Sequence, residues 1–174
     1  MKLSDFNYEL PIELIAQFPS KSRVDSRLLY VDNSNIFRDL SFSDLTSLVM
    51  PNDLFIFNNT KVMPARLNGN KPSGGKVEIL IERILDNKYA TAHIKTNKKV
   101  KKGTQVIIGD FLLNLISQSE GLFKIHLERG EDFKSLMRKY GSIPLPPYID
   151  RKATQLDSDR YQTIFAKRPG AVAA

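Results

Sequence analysis

Between residues 76 and 128 apolar and polar positions alternate in short runs separated by turn formers. The runs 76–85, 89–95, 104–108, 111–116 and 122–128 predict five strands. Asp86-Asn87, Gly103, Gly109-Asp110 and Ser119-Glu120-Gly121 stand between them. In the last run Phe123, Ile125 and Leu127 alternate with Lys124, His126 and Glu128, the pattern of one buried and one wet face. Short strands at this spacing predict an antiparallel sheet or a small closed barrel. The period then changes: Phe133, Leu136, Met137 and Tyr140 recur at helical spacing over 131–140, with Gly141 as the stop. Pro144-Leu-Pro-Pro-Tyr-Ile-Asp-Arg151 predicts a stiff extended segment, followed by a polar loop and a segment at 161–165.

The first sixty residues read as mixed α/β. Pro11 opens a short helical turn, residues 27–32 predict a strand ended by the turn 32–35, and Ser43 caps a short helix over 43–49. After the turn at Pro51, the continuously apolar run Leu54-Phe-Ile-Phe57 predicts a strand buried on both faces. No internal repeat or low-complexity tract interrupts these segments.

Composition narrows the chemistry. At 174 residues, 41% hydrophobic and 26% charged, the chain is long enough to bury a core, and wholesale disorder is excluded. The absence of cysteine removes disulfide scaffolds, thiolate metal sites and thiol nucleophiles. Two histidines, His93 and His126, are too few for a His-rich metal site, and each reads as a structural residue, so no metal is expected. No apolar run approaches the roughly 20 residues that span a bilayer, and the N-terminus lacks a hydrophobic signal core, so a cytoplasmic protein without membrane contact is expected.

The net charge of +7 is unevenly placed. Residues 1–60 are net −3 and residues 61–174 net +10, most of it in 61–102. Such a basic segment suits a polyanion, most often nucleic acid, and equally suits a solubilising lysine face. Within it Lys95, Lys98, Lys99, Lys101 and Lys102 form a loop suited to phosphate contacts or to plain solvation.

Three further groups carry candidate chemistry. Asn58-Asn59-Thr60-Lys61 follows the apolar run 54–57, at the strand edge where α/β sheets bind ligands, and is also readable as a polar turn. Ser73-Gly74-Gly75-Lys76 leads into a strand without the spacing of a P-loop. It reads first as a hairpin turn and second as a close-approach segment for an anion. Tyr148, Asp150 and Arg151 offer a ring, a carboxylate and a guanidinium from a rigid segment, suited to stacking on a base or to ordinary core and surface roles. Nothing marks an activated serine.

Several blocks, taken in order, carry a resemblance. They are Phe6-Asn-Tyr-Glu-Leu-Pro11, Leu14-Ile-Ala-Gln-Phe-Pro19, Ser26-Arg-Leu-Leu29, Asp53-Leu-Phe-Ile-Phe-Asn-Asn-Thr-Lys-Val-Met-Pro-Ala-Arg-Leu67 and Ser73-Gly-Gly-Lys-Val-Glu78. Pro144-Leu-Pro-Pro-Tyr-Ile-Asp-Arg151, Tyr161-Gln-Thr163 and Pro169-Gly-Ala-Val-Ala-Ala174 complete the set. Together they resemble the S-adenosylmethionine:tRNA ribosyltransferase-isomerases of queuosine biosynthesis over the whole chain.

The resemblance implies an α/β fold with an inserted antiparallel β-barrel domain. On it, residues 1–61 and 145–174 form parts of the α/β domain and residues 62–144 the barrel. It implies that the ribosyl group of S-adenosylmethionine, a co-substrate, is transferred to 7-aminomethyl-7-deazaguanine at the tRNA wobble position. The group is isomerised to give epoxyqueuosine, and adenine and methionine are released. Asn58, Asn59, Thr60 and Arg66 become active-site wall, and Gly74, Gly75 and Lys76 a close-approach segment. Tyr148 and Arg151 become ligand contacts, Asp150 a proton-handling carboxylate, and the five lysines tRNA contacts. A monomer is expected. Family members run to roughly twice this length and continue past the final alanines, so the α/β domain is expected to be incomplete here and the isolated chain inactive. The competing expectation is a non-catalytic RNA-binding β module.

Overall fold

β-Branched and long aliphatic residues on every second position drive the middle of the chain into strands, because each strand then offers one apolar face to a common interior. The computed structural model describes residues 1–171; the last three residues of the Pro169–Ala174 block lie outside the described residues. In chain order its elements are β1 (Arg27–Val31), β2 (Phe37–Ser41), the one-turn helix α1 (Leu45–Leu48) and β3 (Thr60–Val62). Then follow β4 (Arg66–Asn70), β5 (Lys76–Ile84), β6 (Tyr89–Thr96), β7 (Gln105–Ile108), β8 (Phe111–Ser119) and β9 (Leu122–Arg129). Helices α2 (Phe133–Tyr140) and α3 (Gln155–Arg160) and strand β10 (Arg168–Ala171) complete the list.

Strands β4 to β9 close into a six-stranded antiparallel barrel in the order β4-β5-β6-β9-β8-β7. Irregular register between Ile81 and Arg83, and at two points of the β8–β9 pair, bends the sheet toward closure. Leu67, Ile79, Ile81, Leu113, Leu115, Ile125 and Leu127 fill the interior and are essentially inaccessible. Helix α2 plugs this core with Phe133, Leu136 and Met137. Asp132 caps it, its carboxylate accepting from the Ser135 N–H at 2.7 Å, which holds that carboxyl below its ordinary range. The helix ends where Gly141 N–H donates to the Met137 carbonyl. Tyr140, expected on the apolar stripe, is half out of the core: its hydroxyl donates to Asp110 at 2.7 Å. With Lys139 beside it, this holds the exposed Asp110 carboxyl down at about 2.

The sheet that frames the barrel is a parallel pair, β3 with β10. The whole barrel lies in sequence between those two strands, which is the insertion expected. At two strands this parallel element is an incomplete α/β layer. Gln162 ties its side-chain amide to β3 in both directions, accepting from Val62 N–H and donating to the Val62 carbonyl. The Thr163 hydroxyl donates to the Thr60 carbonyl at 2.9 Å.

The described residues divide into two compact units, 1–57 with 147–151, and 58–146 with the rest. In the first, β1 and β2 form an antiparallel hairpin and no residue is buried. This corrects the expected strand at 54–57. Leu54 and Ile56 are 85% and 88% exposed and the segment pairs with no strand among the described residues. A doubly buried strand requires a hydrogen-bonded neighbour and two covering layers, and apolar sequence alone supplies neither. Two smaller corrections concern caps. Ser41 with Asp44, rather than Ser43, forms the capping box before α1. The expected polar loop after residue 151 contains α3, nucleated by Thr154 and the buried Asp157, whose carboxylate accepts from the Thr154 N–H at 2.7 Å. Among the described residues no helix is long and apolar enough to cross a membrane.

Candidate functional site

In the first unit Pro147–Arg151, expected to be extended, instead turns at Pro147–Ile149 and is fastened by one side chain. The Gln17 amide oxygen accepts from the Asp150 N–H at 2.8 Å, and its amide nitrogen donates to the Tyr148 carbonyl at 3.2 Å. Arg151 returns the contact, Nε donating to the Gln17 carbonyl at 2.7 Å while its guanidinium lies 4.2 Å from the Phe18 ring centroid. The effect is a pinned loop, with the Tyr148 ring and Asp150 carboxylate on the outside, both exposed. A ring held this way loses little freedom on stacking against a ligand. The Asp150 carboxylate is placed by its backbone rather than by its own oxygens. Gln17 and Phe18, which hold this loop, were not singled out from the sequence. The run Leu14–Pro19 carried the resemblance, but a contact across 131 residues leaves no trace in spacing.

In the second unit Asn58, Asn59 and Thr60 sit at the start of β3, not at the end of a preceding strand. The Asn58 carboxamide oxygen accepts from both the N–H and the hydroxyl of Thr60, the geometry of a polar turn. The Asn59 carbonyl accepts from Lys167 and Arg168 N–H, which sets the register with β10. Arg66, on β4, donates from one terminal nitrogen to the Leu145 carbonyl at 3.0 Å, and its buried Nε has no protein partner. Arg66 and Ser142 also exchange backbone hydrogen bonds, joining the foot of the barrel to the segment after α2.

Gly74, Gly75 and Lys76 form the exposed β4–β5 hairpin, closed by Lys71 N–H on the Gly75 carbonyl. Gly74 has φ +86° and open space where a Cβ would stand, so a ligand backbone can approach it closely. The topology brings this hairpin to the same barrel end as the β6–β7 loop with Lys95, Lys98, Lys99, Lys101 and Lys102. Lys71 Nζ donates to the Lys98 carbonyl at 3.2 Å. Two motifs about twenty residues apart in sequence thus share one rim. The candidate residues therefore fall in three places: the pinned loop of the first unit, the β3 start with Arg66, and the basic rim. Among the described residues no three His, Cys, Asp or Glu side chains are grouped to hold a metal ion.

A model of the queuosine biosynthesis protein family matches residues 3–174. The chain belongs to the queuosine biosynthesis protein family. Among curated members, the S-adenosylmethionine:tRNA ribosyltransferase-isomerase of Nitrosococcus oceani is 47% identical over 176 residues, covering 100% of this chain and 51% of that protein. The chain therefore spans about half the length of the curated relative it matches. Among solved structures, the S-adenosylmethionine tRNA ribosyltransferase of Thermotoga maritima is 30% identical, with a TM-score of 0.41 over 78% of this chain and 48% of that one. For the queuosine biosynthesis family, then, this chain supplies the barrel, the parallel pair that brackets it and the pinned Pro-Pro-Tyr-Ile-Asp-Arg loop.

Proposed function

We propose that the chain is part of an enzyme that transfers the ribosyl group of S-adenosylmethionine to 7-aminomethyl-7-deazaguanine at the tRNA wobble position. The group is isomerised there to yield epoxyqueuosine, with release of adenine and methionine. The observation that carries this reading is the family match across residues 3–174 together with 47% identity, over the full chain, to a protein named for that transfer. The donor's sulfonium acidifies the adjacent carbon, so the reaction calls for a base to take that proton and a wall to fix the ribose. Asp150 is assigned the proton. Tyr148 and Arg151 beside it are assigned to the ligand, and Asn58, Asn59, Thr60 and Arg66 to the site wall. Gly74, Gly75 and Lys76 are assigned to close approach of substrate or RNA backbone, and the five rim lysines to tRNA phosphates. The protein acts as a monomer in the cytoplasm and uses no metal.

The first unit, with no buried residue, supports a second part of this reading: the 174-residue chain does not complete the reaction alone. Calorimetry on the full-length gene product is expected to show saturable S-adenosylmethionine binding and separate tRNA binding. The 174-residue chain is expected to keep the tRNA signal and lose the donor signal. A full-length protein that binds tRNA and never the donor would instead make the chain a non-catalytic RNA-binding module.

A further inference from the structure

Beside the basic rim lies a groove of about 630 Å³, between the β6–β7 loop and the β8–β9 hairpin. Its lining mixes three chemistries: Ile94, Val100 and Phe123 are apolar, Asn97 and Gln118 offer amide groups, and Lys95 and Lys99 are cationic. From residue 87 to residue 109 the sequence contains no aspartate or glutamate. Among the described residues none of Lys95, Lys98, Lys99, Lys101 and Lys102 takes part in an ion pair. The nearby carboxylates are Glu78, the cross-strand partner of Lys95, and Glu120, at the hairpin tip beside Gly121. They leave the rim strongly positive against the lysines from both hairpin and loop.

The other barrel end is different. There Asp110 pairs with Lys139 and accepts from Tyr140, and the sequence supplies Glu82, Asp86, Glu131 and Asp132 beside Arg83, Lys88, Lys134 and Arg138, so the two signs are balanced. The basic end therefore has a surplus of positive charge, next to a cleft lined by apolar side chains and by amide donors and acceptors. That combination fits a nucleotide: ammonium groups for its phosphate, amides for base or sugar edges, and apolar side chains for the base face. Lysines, as point charges on flexible stems, fix a phosphate without imposing sequence.

We propose that this groove seats an unpaired nucleotide of the RNA, its phosphate on Lys95 and Lys99, its edge toward Asn97 and Gln118, and its base on Ile94 and Val100. This rests on the tRNA-modifying function proposed above and adds a sequence-tolerant anchoring seat to it. The seat takes no part in the chemistry. Removing it weakens RNA binding.

The test uses the full-length protein, the tRNA substrate and a short oligouridylate. Dissociation constants are measured across a KCl series for wild type, Lys95→Ser/Lys99→Ser and Asn97→Ala/Gln118→Ala. Arg83→Ser/Lys134→Ser serves as a control that removes equal charge from the opposite end. The lysine pair is expected to raise both dissociation constants about tenfold or more and to lower the salt slope by roughly 1, at about 0.7 per single-strand phosphate contact. The amide pair is expected to weaken binding at an unchanged salt slope, and the control to change little. Unchanged affinity in the lysine pair, an equal loss in the control, or displacement of the oligouridylate by polyglutamate at matched charge would each overturn the seat. The two readings separate cleanly. Groove-dependent oligouridylate binding without adenine release would end the proposed reaction and keep the seat, whereas adenine release with groove-independent binding would do the reverse.

Discussion

Gly141→Ala is expected to lower the melting temperature of the barrel by roughly 5–10 °C, the loss of about 2–3 kcal/mol that overpacking against rigid atoms brings in a chain of this size. The residue has an ordinary φ of −79°, so its glycine is not there for backbone freedom. It is there for space. A Cβ would stand 2.0 Å from the Pro64 carbonyl oxygen and 2.3 Å from the Met137 carbonyl oxygen, and both are backbone atoms that cannot rotate away. The clash falls where α2 hands over to the Arg66–Ser142 bridge, so relief requires the helix to withdraw Phe133 and Leu136 from the core. Gly74→Ala is the informative contrast. There the φ of +86° is unfavourable but nothing lies within 4 Å of the new methyl group, and a cost of only about 1 kcal/mol is expected. Because the first unit buries no residue, the cooperative transition seen by circular dichroism reports the barrel. Gly141→Ala melting within about 2 °C of wild type, or below Gly74→Ala in effect, would show that the helix end yields more easily than this packing allows.

In the full-length protein, Asp150→Asn is expected to reduce turnover by about 10² to 10⁴, the range for loss of a positioned proton-transfer group. The substitution is sterically conservative, and the bond that orders this residue is its backbone N–H to Gln17, which asparagine retains. Its carboxylate is exposed and anchors nothing in the described structure, so the fold and melting temperature should be those of wild type. Donor and tRNA affinities are expected to hold within a few-fold while the rate collapses. Near-normal turnover with an intact fold would remove Asp150 from the chemistry and leave the pinned loop a binding role only.

How far the sequence foretold this structure depends on whether an element's information is local. Five barrel strands were legible because each has enough alternating aliphatic residues and a glycine or aspartate turn at its ends. The sixth, β4, was not. Arg66-Leu-Asn-Gly-Asn places only Leu67 and Gly69 inward, and Gly69 is chosen by a long-range contact, its Cβ position lying 2.7 Å from the Ile107 carbonyl oxygen. Helix α3 escaped notice because it is short and polar and owes its existence to the Thr154–Asp157 cap rather than to a stripe.

The run 54–57 failed in the opposite sense. Its apolar content announces burial, but the partner that would bury it is not among the described residues. For the candidate site, residue types were legible and assembly was not. Tyr148, Asp150 and Arg151 lie in one short segment and were read together. The Gln17 clamp, the Phe18 ring under Arg151, and the shared rim of Lys71 and Lys98 arise only from chain reversal.

The proposed reaction moves the donor's ribosyl group and not its methyl group. The most direct measurement is product analysis with full-length protein, S-adenosylmethionine and tRNA bearing the 7-aminomethyl-7-deazaguanine base. Adenine and methionine released in equal amounts, only when that tRNA is present and matched by mass gain on the tRNA, is the predicted result. Release of S-adenosylhomocysteine with a methylated tRNA, or no tRNA-dependent adenine at all, would contradict it.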